Sequence, residues 1–334
     1  MNILADVLSA TILFAVPLLL VALGGMFSER SGIINLALEG IMIVGALLGC
    51  HVLRWLDPSV QSGAMHGQVA VLISLAVAGV AGILFSLLLA FSAINLKADQ
   101  TIGGTALNMF APAFSIVLTW AILGQGQTTM TLPKWTRITQ ETLGITPNDG
   151  FFQRFTFTSL YLTTFLAIIL FAIAVILLYK TRFGLRLRAC GENPQAADSL
   201  GINVYKMRYA GTTISGALAG MGGFVYALTT ANCSSNGDVA GFGFLALAVM
   251  IFGNWKPLNI AGASLLFGLF KCIAAAYTSL DINGDGVYLL AQIGISAHFY
   301  QMLPYLITII VLAFTSKSSR APKAEGIPYD KGSR

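Results

Sequence analysis

Two acids, an arginine and an asparagine interrupt an apolar stretch of the sequence, E-R-S-G-I-I-N-L-A-L-E-G, at residues 29–40. Glu29 and Arg30 are predicted in an inner turn, where the pair stays hydrated. Asn35 and Glu39 are four residues apart, so on a helix they share one face. We expect them one to two turns into a membrane span, where an acid faces protein or a water-filled cavity. Two roles fit: hydrogen bonds that fasten the helix, which we favour, or contact with a solute.

The fourth predicted span adds polar and aromatic candidates. Asn108 follows a Gly-Gly-Thr sequence and is expected either to line a cavity or to form an interhelical hydrogen bond. Phe110 and Phe114 recur at helical spacing and offer stacking surfaces to a planar solute, although aromatic residues at this spacing more often face lipid or core. The candidate solute-pathway residues are therefore Asn35, Glu39, Asn108, Phe110 and Phe114.

The sequence offers few residues to an enzyme. It contains no G-x-x-x-x-G-K-[ST] motif, so no P-loop that holds ATP is expected. The three histidines form no cluster with cysteine, and the four cysteines have neither metal-ligand nor disulfide spacing. We therefore expect a protein that is not an enzyme and has no cofactor of its own.

One stretch partly matches a calcium loop, D-I-N-G-D-G-V-Y-L-L-A-Q at 281–292. Asp281, Asn283 and Asp285 alternate as calcium ligands do, but position twelve is Gln292 instead of the bidentate glutamate. Because only two carboxylates are present, we favour a plain Asx and Gly turn and expect no metal.

Composition places the chain among membrane proteins. Of its 334 residues, 56% are hydrophobic and only 10% are charged, whereas about a quarter of a soluble domain is charged. Apolar runs of about 20 residues, the length that crosses a bilayer as a helix, occur about nine times. We expect an all-α polytopic membrane protein with about nine transmembrane helices, the range being eight to ten, in a single domain, 1–334. The predicted spans are 7–26, 33–53, 69–94, 104–123, 159–179, 209–230, 241–253, 259–278 and 299–316.

The seventh predicted span is short and interrupted by glycine, which favours a broken or re-entrant helix. The patterns L-A-L-E-G-I-M-I-V-G at 36–45 and L-A-L-A-V-M-I-F-G at 245–253 are similar, and their helices are predicted to run in opposite directions, as in inverted repeats. With so few shared letters, we favour chance similarity. Small residues at helical spacing predict close helix packing; they are Gly45 with Gly49, and Gly216 with Gly220.

Lysine and arginine set the orientation, because short basic loops stay in the cytoplasm. The segment 181–208 and the tail 317–334 are rich in both residues and are predicted inside. The longest external loop is then 124–158, and the N-terminus lies outside. The formal charge of +5 is explained by this orientation, so no nucleic-acid partner is expected.

The segment G-E-N-P-Q-A-A-D-S-L-G-I at 191–202 predicts a short helix at the inner membrane surface. Asn193 is suited to cap it, Pro194 to its first position, and Gly201 to its end. An ordinary interfacial loop is one interpretation. The other is a docking helix that fits a cleft in a cytoplasmic partner.

Four motifs together resemble the permease subunits of bacterial ABC importers, in the branch for simple sugars, branched-chain amino acids and nucleosides. They are the stretch 29–40, T-I-G-G-T-A-L-N at 101–108, the segment 191–202, and F-L-A-L-A-V-M-I-F-G-N-W-K-P at 244–257. The first is most similar to the nucleoside-type branch. The resemblance covers nearly the whole chain and implies that 191–202 is the helix that couples to the ATPase. The coupling residues it implies are Gly191, Glu192, Asn193, Pro194, Ala196, Ala197, Leu200 and Gly201.

The resemblance implies a non-catalytic pore subunit in the inner membrane of a bacterium, surrounded by lipid. Its partners would be a second permease of different sequence, a cytoplasmic ABC ATPase that binds ATP, and an extracytoplasmic solute-binding lipoprotein. We expect nucleosides as the solute, with simple sugars or a riboflavin-like compound as alternatives. A stand-alone secondary transporter is a further alternative. It is disfavoured because such proteins commonly carry acids near the bilayer midplane, whereas the acids here are predicted near the membrane edges or in loops.

Overall fold

A computed structural model describes residues 2–126, 133–138, 161–230, 237–275, 297–315 and 320–332. Within these ranges every regular element is a helix, and a 3-10 turn is formed by Lys134–Thr136. The α-helices of the described residues are α1 (Asn2–Arg30), α2 (Leu38–Gln61), α3 (Gly67–Ile94), α4 (Gln100–Leu123), α5 (Leu162–Lys180), α6 (Arg182–Glu192), α7 (Pro194–Ser199), α8 (Val204–Thr229), α9 (Phe242–Phe252), α10 (Pro257–Ala275) and α11 (Ala297–Thr315).

The helices match the predicted spans. Six of them, α1 to α5 and α10, are long and apolar enough to cross a membrane. The predicted spans 209–230 and 299–316 coincide with α8 and α11, and the short seventh span coincides with α9. Each predicted span thus contains one helix, which confirms the all-α polytopic architecture.

The central helix is α8, which packs against α1, α2 and α3. Glycine permits these approaches, because a Cβ on Gly45 would collide with the backbone of Gly220, and a Cβ on Gly82 with the backbone of Gly216. Close backbone contact maximises dispersion between helices when no hydrophobic force drives them together in lipid. The predicted role of the glycines in helix packing is confirmed.

The two ends of the bundle are distinguished by their contacts. At one end, the Trp135 indole donates to the Asp57 carboxylate over 2.8 Å, near the end of α2 and the start of α3. At the other end lie the end of α1, the start of α8 and the basic helix α6. By the distribution of Lys and Arg, the second end is cytoplasmic.

Helix α1 extends further than predicted, through Arg30. Glu29 is only 4% exposed, so the predicted hydrated turn is wrong for this residue. The reason is a long-range contact: the Trp255 indole N–H donates to the Glu29 carboxylate over 2.6 Å. Arg30 also bonds to Trp255, donating from Nη2 to its carbonyl oxygen over 3.1 Å.

Candidate solute pathway and coupling segment

The connection 31–37 returns into the membrane before α2 begins. Along it, the Asn35 amide donates to the Ser215 hydroxyl over 2.9 Å. Ser215 is eleven residues beyond Val204, the cytoplasmic start of α8, which places it roughly 16 Å into the membrane at 1.5 Å per residue. The hydrocarbon core is about 30 Å thick, so α2 begins near its midplane.

Asn35 lies before α2 rather than on it, so the prediction that Asn35 and Glu39 share a helix face is wrong. The Asn35 side chain is fully buried, and its Oδ1 accepts from the Ala37 N–H over 3.1 Å. Non-helical backbone at this depth is tolerated where protein buries it. Asn35 thus ties the entry of α2 to α8.

Asn108 on α4 fastens the same turn from the other side. Its Oδ1 accepts from the Gly40 N–H over 2.8 Å, and its Nδ2 donates to the Leu36 carbonyl over 2.7 Å. The first N–H groups of a helix have no intrahelical acceptor, and this amide supplies one. The geometry supports the interhelical hydrogen bond that was one of the two predicted roles.

Glu39 reaches from the first turn of α2 to the start of α9. Its carboxylate accepts hydrogen bonds from the N–H groups of Gly241 (2.9 Å), Gly243 (2.6 Å) and Phe244 (3.3 Å). A negative charge there complements the positive end of the α9 dipole. A Cβ on Gly243 would collide with the backbone of Glu39, so glycine is needed for the approach.

Helix α9 has 11 residues, about 16 Å of length, roughly half of the hydrocarbon core. Its end is cytoplasmic, because Trp255 lies beside the end of α1. The starts of α2 and α9 therefore meet near the midplane, and from there the two helices run in opposite directions. Discontinuous helices whose N-termini converge at this depth form the binding sites of many transporters.

A cleft of about 370 Å³ opens beside this junction, between the start of α2, the middle of α4 and the residues that lead into α9. Small-molecule sites occupy about 300–1,000 Å³, so the cleft suits a small solute. Asp238 is exposed, and its Oδ1 accepts from the Ala240 N–H over 2.7 Å. Residues in the wall of the cleft include Glu39, Thr105, Asn108, Met109, Asp238 and Phe244.

Phe110 and Phe114 lie outside the lining of the cleft, on the exposed face of α4. Their ring centroids are 5.5 Å apart, and the Phe110 ring also stacks on Phe85 at 6.2 Å. The side chains are 52% and 37% exposed. This face is accessible to lipid or to another chain. The two aromatic rings therefore do not share a site with Glu39 and Asn108, which line the cleft.

The segment 191–202, the candidate for coupling to an ATPase, has the predicted local structure. The Asn193 Oδ1 caps α7 by accepting from the Ala196 N–H over 3.0 Å, and Pro194 is the first helical residue. Gly201 follows the helix with a φ of +79°, a conformation that favours glycine. Leu200 is 81% exposed, whereas Ala197 is 2% exposed and faces the protein.

Comparison with known proteins identifies the family. The model of the branched-chain amino acid transport system / permease component family matches residues 7–312. The chain belongs to this family. It is therefore a multi-pass membrane permease subunit of an ABC transport system, and ATP hydrolysis belongs to a separate subunit.

Relatives of the permease match it from end to end. It is 41% identical to the guanosine ABC transporter permease protein NupQ of Bacillus subtilis, over 100% of this chain and 99% of that protein. It is 40% identical to the nucleoside ABC transporter permease protein NupC of Lactococcus lactis, over 99% and 98% of the two chains. The nucleoside permease protein NupB of the same Lactococcus strain is 31% identical over 48% of this chain and 44% of its own. No solved structure matches the chain significantly.

The structure brings some of the permease's predicted site residues together and leaves others apart. Glu39 and Asn108 share the cleft, while Asn35 is buried behind it. The described residues contain no group of three His, Cys, Asp or Glu side chains that could hold a metal. The candidate calcium residues Asp281, Asn283 and Asp285 lie outside the described residues.

The sequence did not indicate the positions of two residues of the permease. Asp238 lines the cleft, but an isolated acid after a glycine suggests only a turn. Trp255 was quoted within a motif but given no role, although Glu29 and Arg30 both bind it. Its backbone φ of +52° is unusual for a bulky residue, and no sequence pattern indicates this conformation.

Proposed function

We propose that this permease passes nucleosides through the inner membrane of a bacterium, as one half of an ABC importer pore. The observation that carries the proposal is the 41% identity, over the entire chain, with a protein named as a guanosine permease. An end-to-end match includes the starts of α2 and α9 and the cleft beside them as well as the rest of the helical bundle.

The chemistry of the cleft is compatible with a neutral solute that is rich in hydrogen-bond donors. Its wall combines the carboxylate of Asp238 with apolar surfaces of Met109 and Phe244. Ribose hydroxyls and base amino groups can donate to the carboxylate, and a base can pack on the apolar wall. The described lining contains no Lys or Arg, although the Lys271 ammonium lies 3.4 Å from the carbonyl oxygen of Ala240, two residues beyond Asp238.

A second permease of different sequence is proposed to complete the pore. Support comes from Lactococcus lactis, in which two proteins similar to this chain are both named as nucleoside permeases. The exposed apolar face of α4, with Met109 and Val117, flanks the cleft. A partner placed on that face would enclose the cleft on its open side.

The remaining partners are a cytoplasmic ABC ATPase and an extracytoplasmic solute-binding lipoprotein. The ATPase would bind the ATP and dock on α7, where Leu200 projects from the surface. The permease itself would carry no cofactor. Closure of the ATPase would then move α7, and with it the inner ends of the spans.

Reconstitution tests the proposal. The permease, the second permease, the ATPase and the binding protein are placed in liposomes with ATP inside and radiolabelled guanosine outside. We expect ATP-dependent uptake that unlabelled nucleosides suppress and that ribose, glucose and riboflavin leave unchanged. If labelled guanosine is not taken up while labelled ribose, glucose or riboflavin is, the choice of solute would be overturned. Uptake by the permease alone, without ATP, would indicate a stand-alone transporter.

A further inference from the structure

The C-terminal residues 320–332, here called the tail segment, are folded against the cytoplasmic ends of the helices. The segment has no helix or strand of its own, yet it bonds to three separate parts of the bundle. Its backbone N–H groups donate from Ala324 to the Gly191 carbonyl (2.8 Å), from Gly326 to the Gly32 carbonyl (3.3 Å), and from Arg320 to the Asn254 side chain (2.9 Å). A merely basic tail, as the positive-inside rule requires, would need none of these bonds.

Tyr329 is the hydrophobic anchor of the tail segment. It is only 6% exposed and packs with Cys190, Ala197 and Val204. Its ring meets the edge of Tyr205, with the centroids 5.4 Å apart. Ala197 is the one buried residue of α7, so Tyr329 packs on the face of α7 that is turned toward the protein.

Helix α7 needs such support because it has only six residues. Isolated helices shorter than about 12–15 residues are marginal in water. The Asn193 cap satisfies one N–H group, but most helical stability in proteins comes from packing an apolar face. The cluster around Tyr329 provides that face.

Asp330 holds the far end of the tail segment. Its carboxylate lies 2.8 Å from the Lys97 ammonium, in the turn between α3 and α4. The hydrogen bond from Lys97 lowers the pKa of Asp330, and the same bond raises the pKa of Lys97. An exposed ion pair contributes little stability, and it places Asp330, with Lys331 next in the chain, beside the turn between α3 and α4.

Lys331 and α7 border a common cleft of about 320 Å³ that is open to the cytoplasm. The wall includes Asp198, Gly201, Tyr205 and Lys331. Leu200 projects beside it. Helix α7 and the tail segment thus form one continuous surface, from which Leu200 projects and whose rim carries Asp198 and Lys331.

We infer that the tail segment is part of the docking surface for the ATPase subunit. It holds α7 in place through Tyr329 and adds Lys331 to the rim of the surface. The inference rests on the proposed function, since it requires that an ATPase docks on α7. The chemistry that fits is a partner face with an apolar pocket for Leu200 and acidic groups opposite Lys331.

The experiment is co-purification of the ATPase with tagged permease complexes, followed by ATP-dependent uptake in liposomes. The variants are Tyr329→Ala, Lys331→Glu, and truncation after Ser319. Arg54→Glu is the control for the change of charge, because Arg54 is an exposed basic residue on α2, toward the opposite end of the bundle. We expect about a tenfold weaker ATPase affinity for each test variant, a loss of about 1.4 kcal/mol, and no change for the control.

The yield of folded permease in the membrane separates docking from folding. Should truncation lower that yield, the comparison passes to Lys97→Asp and Asp330→Lys, where each single variant is expected to weaken docking and the double variant to restore it. Unchanged ATPase affinity in Tyr329→Ala and Lys331→Glu would overturn the inference. A wild-type complex that captures the ATPase but takes up no nucleoside would instead refute the proposed solute and leave the docking surface standing.

Discussion

The carboxylate of Glu39 accepts a 2.6 Å hydrogen bond from the backbone N–H of Gly243, although 204 residues separate the two in the sequence. One belongs to the first turn of α2 and the other to the first turn of α9. Their bond joins the starts of two helices near the midplane, from which the helices run in opposite directions. Glu39 therefore holds the starts of α2 and α9 together near the midplane. The presence of an acid in this apolar part of the chain is explained by the backbone N–H groups that need an acceptor there.

Replacing Glu39 with alanine is expected to destabilise the permease. Three N–H groups would lose their acceptor, and hydrogen bonds to charged groups contribute about 1.5–3 kcal/mol each. Because relaxation recovers part of the loss, we expect a decrease of about 3 kcal/mol in the free energy of unfolding. Glu39→Gln keeps one acceptor oxygen and should lose less. Thermal unfolding in detergent measures both, and a variant that unfolds like wild type but transports slowly would contradict the fastening role.

Asp238→Asn, in the same cleft, is expected to change uptake but not stability. The side chain is exposed, and asparagine retains an oxygen for the Ala240 N–H, so unfolding should be unchanged. Uptake of guanosine should fall about tenfold if the second carboxylate oxygen contributes about 1.4 kcal/mol to solute contact. Initial rates over a range of guanosine concentrations provide the measurement. Wild-type uptake would remove Asp238 from the pathway.

Local chemistry made helix α7 predictable. Asn193, Pro194 and Gly201 act within one or two turns of their own position, and each does so for a reason that belongs to its residue type. The spans were predictable for the same reason, since bilayer thickness fixes the length of an apolar helix. To predict these helices, no information beyond the neighbouring residues in the sequence was needed.

The midplane junction was not predictable from the same sequence. After Gly32, with a φ of +97°, residues 33–35 form no helix, and an apolar run has the same sequence pattern whether it is helical or not. The partners of Glu39 and Glu29 lie more than 200 residues away. The tail segment is a further case, because its lysines fit the positive-inside rule and no local pattern indicates that Tyr329 is buried.

Gly45→Ala tests the close contact between α2 and α8. The new methyl group would meet the backbone of Gly220, which cannot rotate away as a side chain does. Overpacking costs about 1–3 kcal/mol, and we expect the upper end of this range in thermal unfolding. Gly262→Ala is the control, because no atom lies within 4 Å of its Cβ. That variant should be neutral or up to about 1 kcal/mol more stable through helix propensity. Equal behaviour of the two variants would contradict the packing role of Gly45.

The attachment of the tail segment should depend on pH through Glu325. Burial raises the pKa of this carboxyl to about 7, partly offset by the hydrogen bond with Glu29 and by the charge of Arg30. A detached tail would have the ordinary carboxyl pKa of about 4.5. Between these values the attached state holds more protons, so attachment weakens as pH rises. The contribution of protonated Glu325 to attachment is fully lost above about pH 7, and attachment no longer varies with pH below about 4.5.

A spin label on Lys323→Cys, in a chain whose own cysteines are replaced, reports this transition. Lys323 is exposed in the tail segment, so the label itself should not disturb the contact. We expect a more mobile spectrum at pH 8 than at pH 6, and no difference between the two in Glu325→Gln, because the amide does not titrate. Glu192→Gln is the control, since Glu192 is an exposed acid 3.8 Å from the same Arg30, and the pH effect should persist in it. A pH effect that persists in Glu325→Gln would assign the transition to a different titratable group.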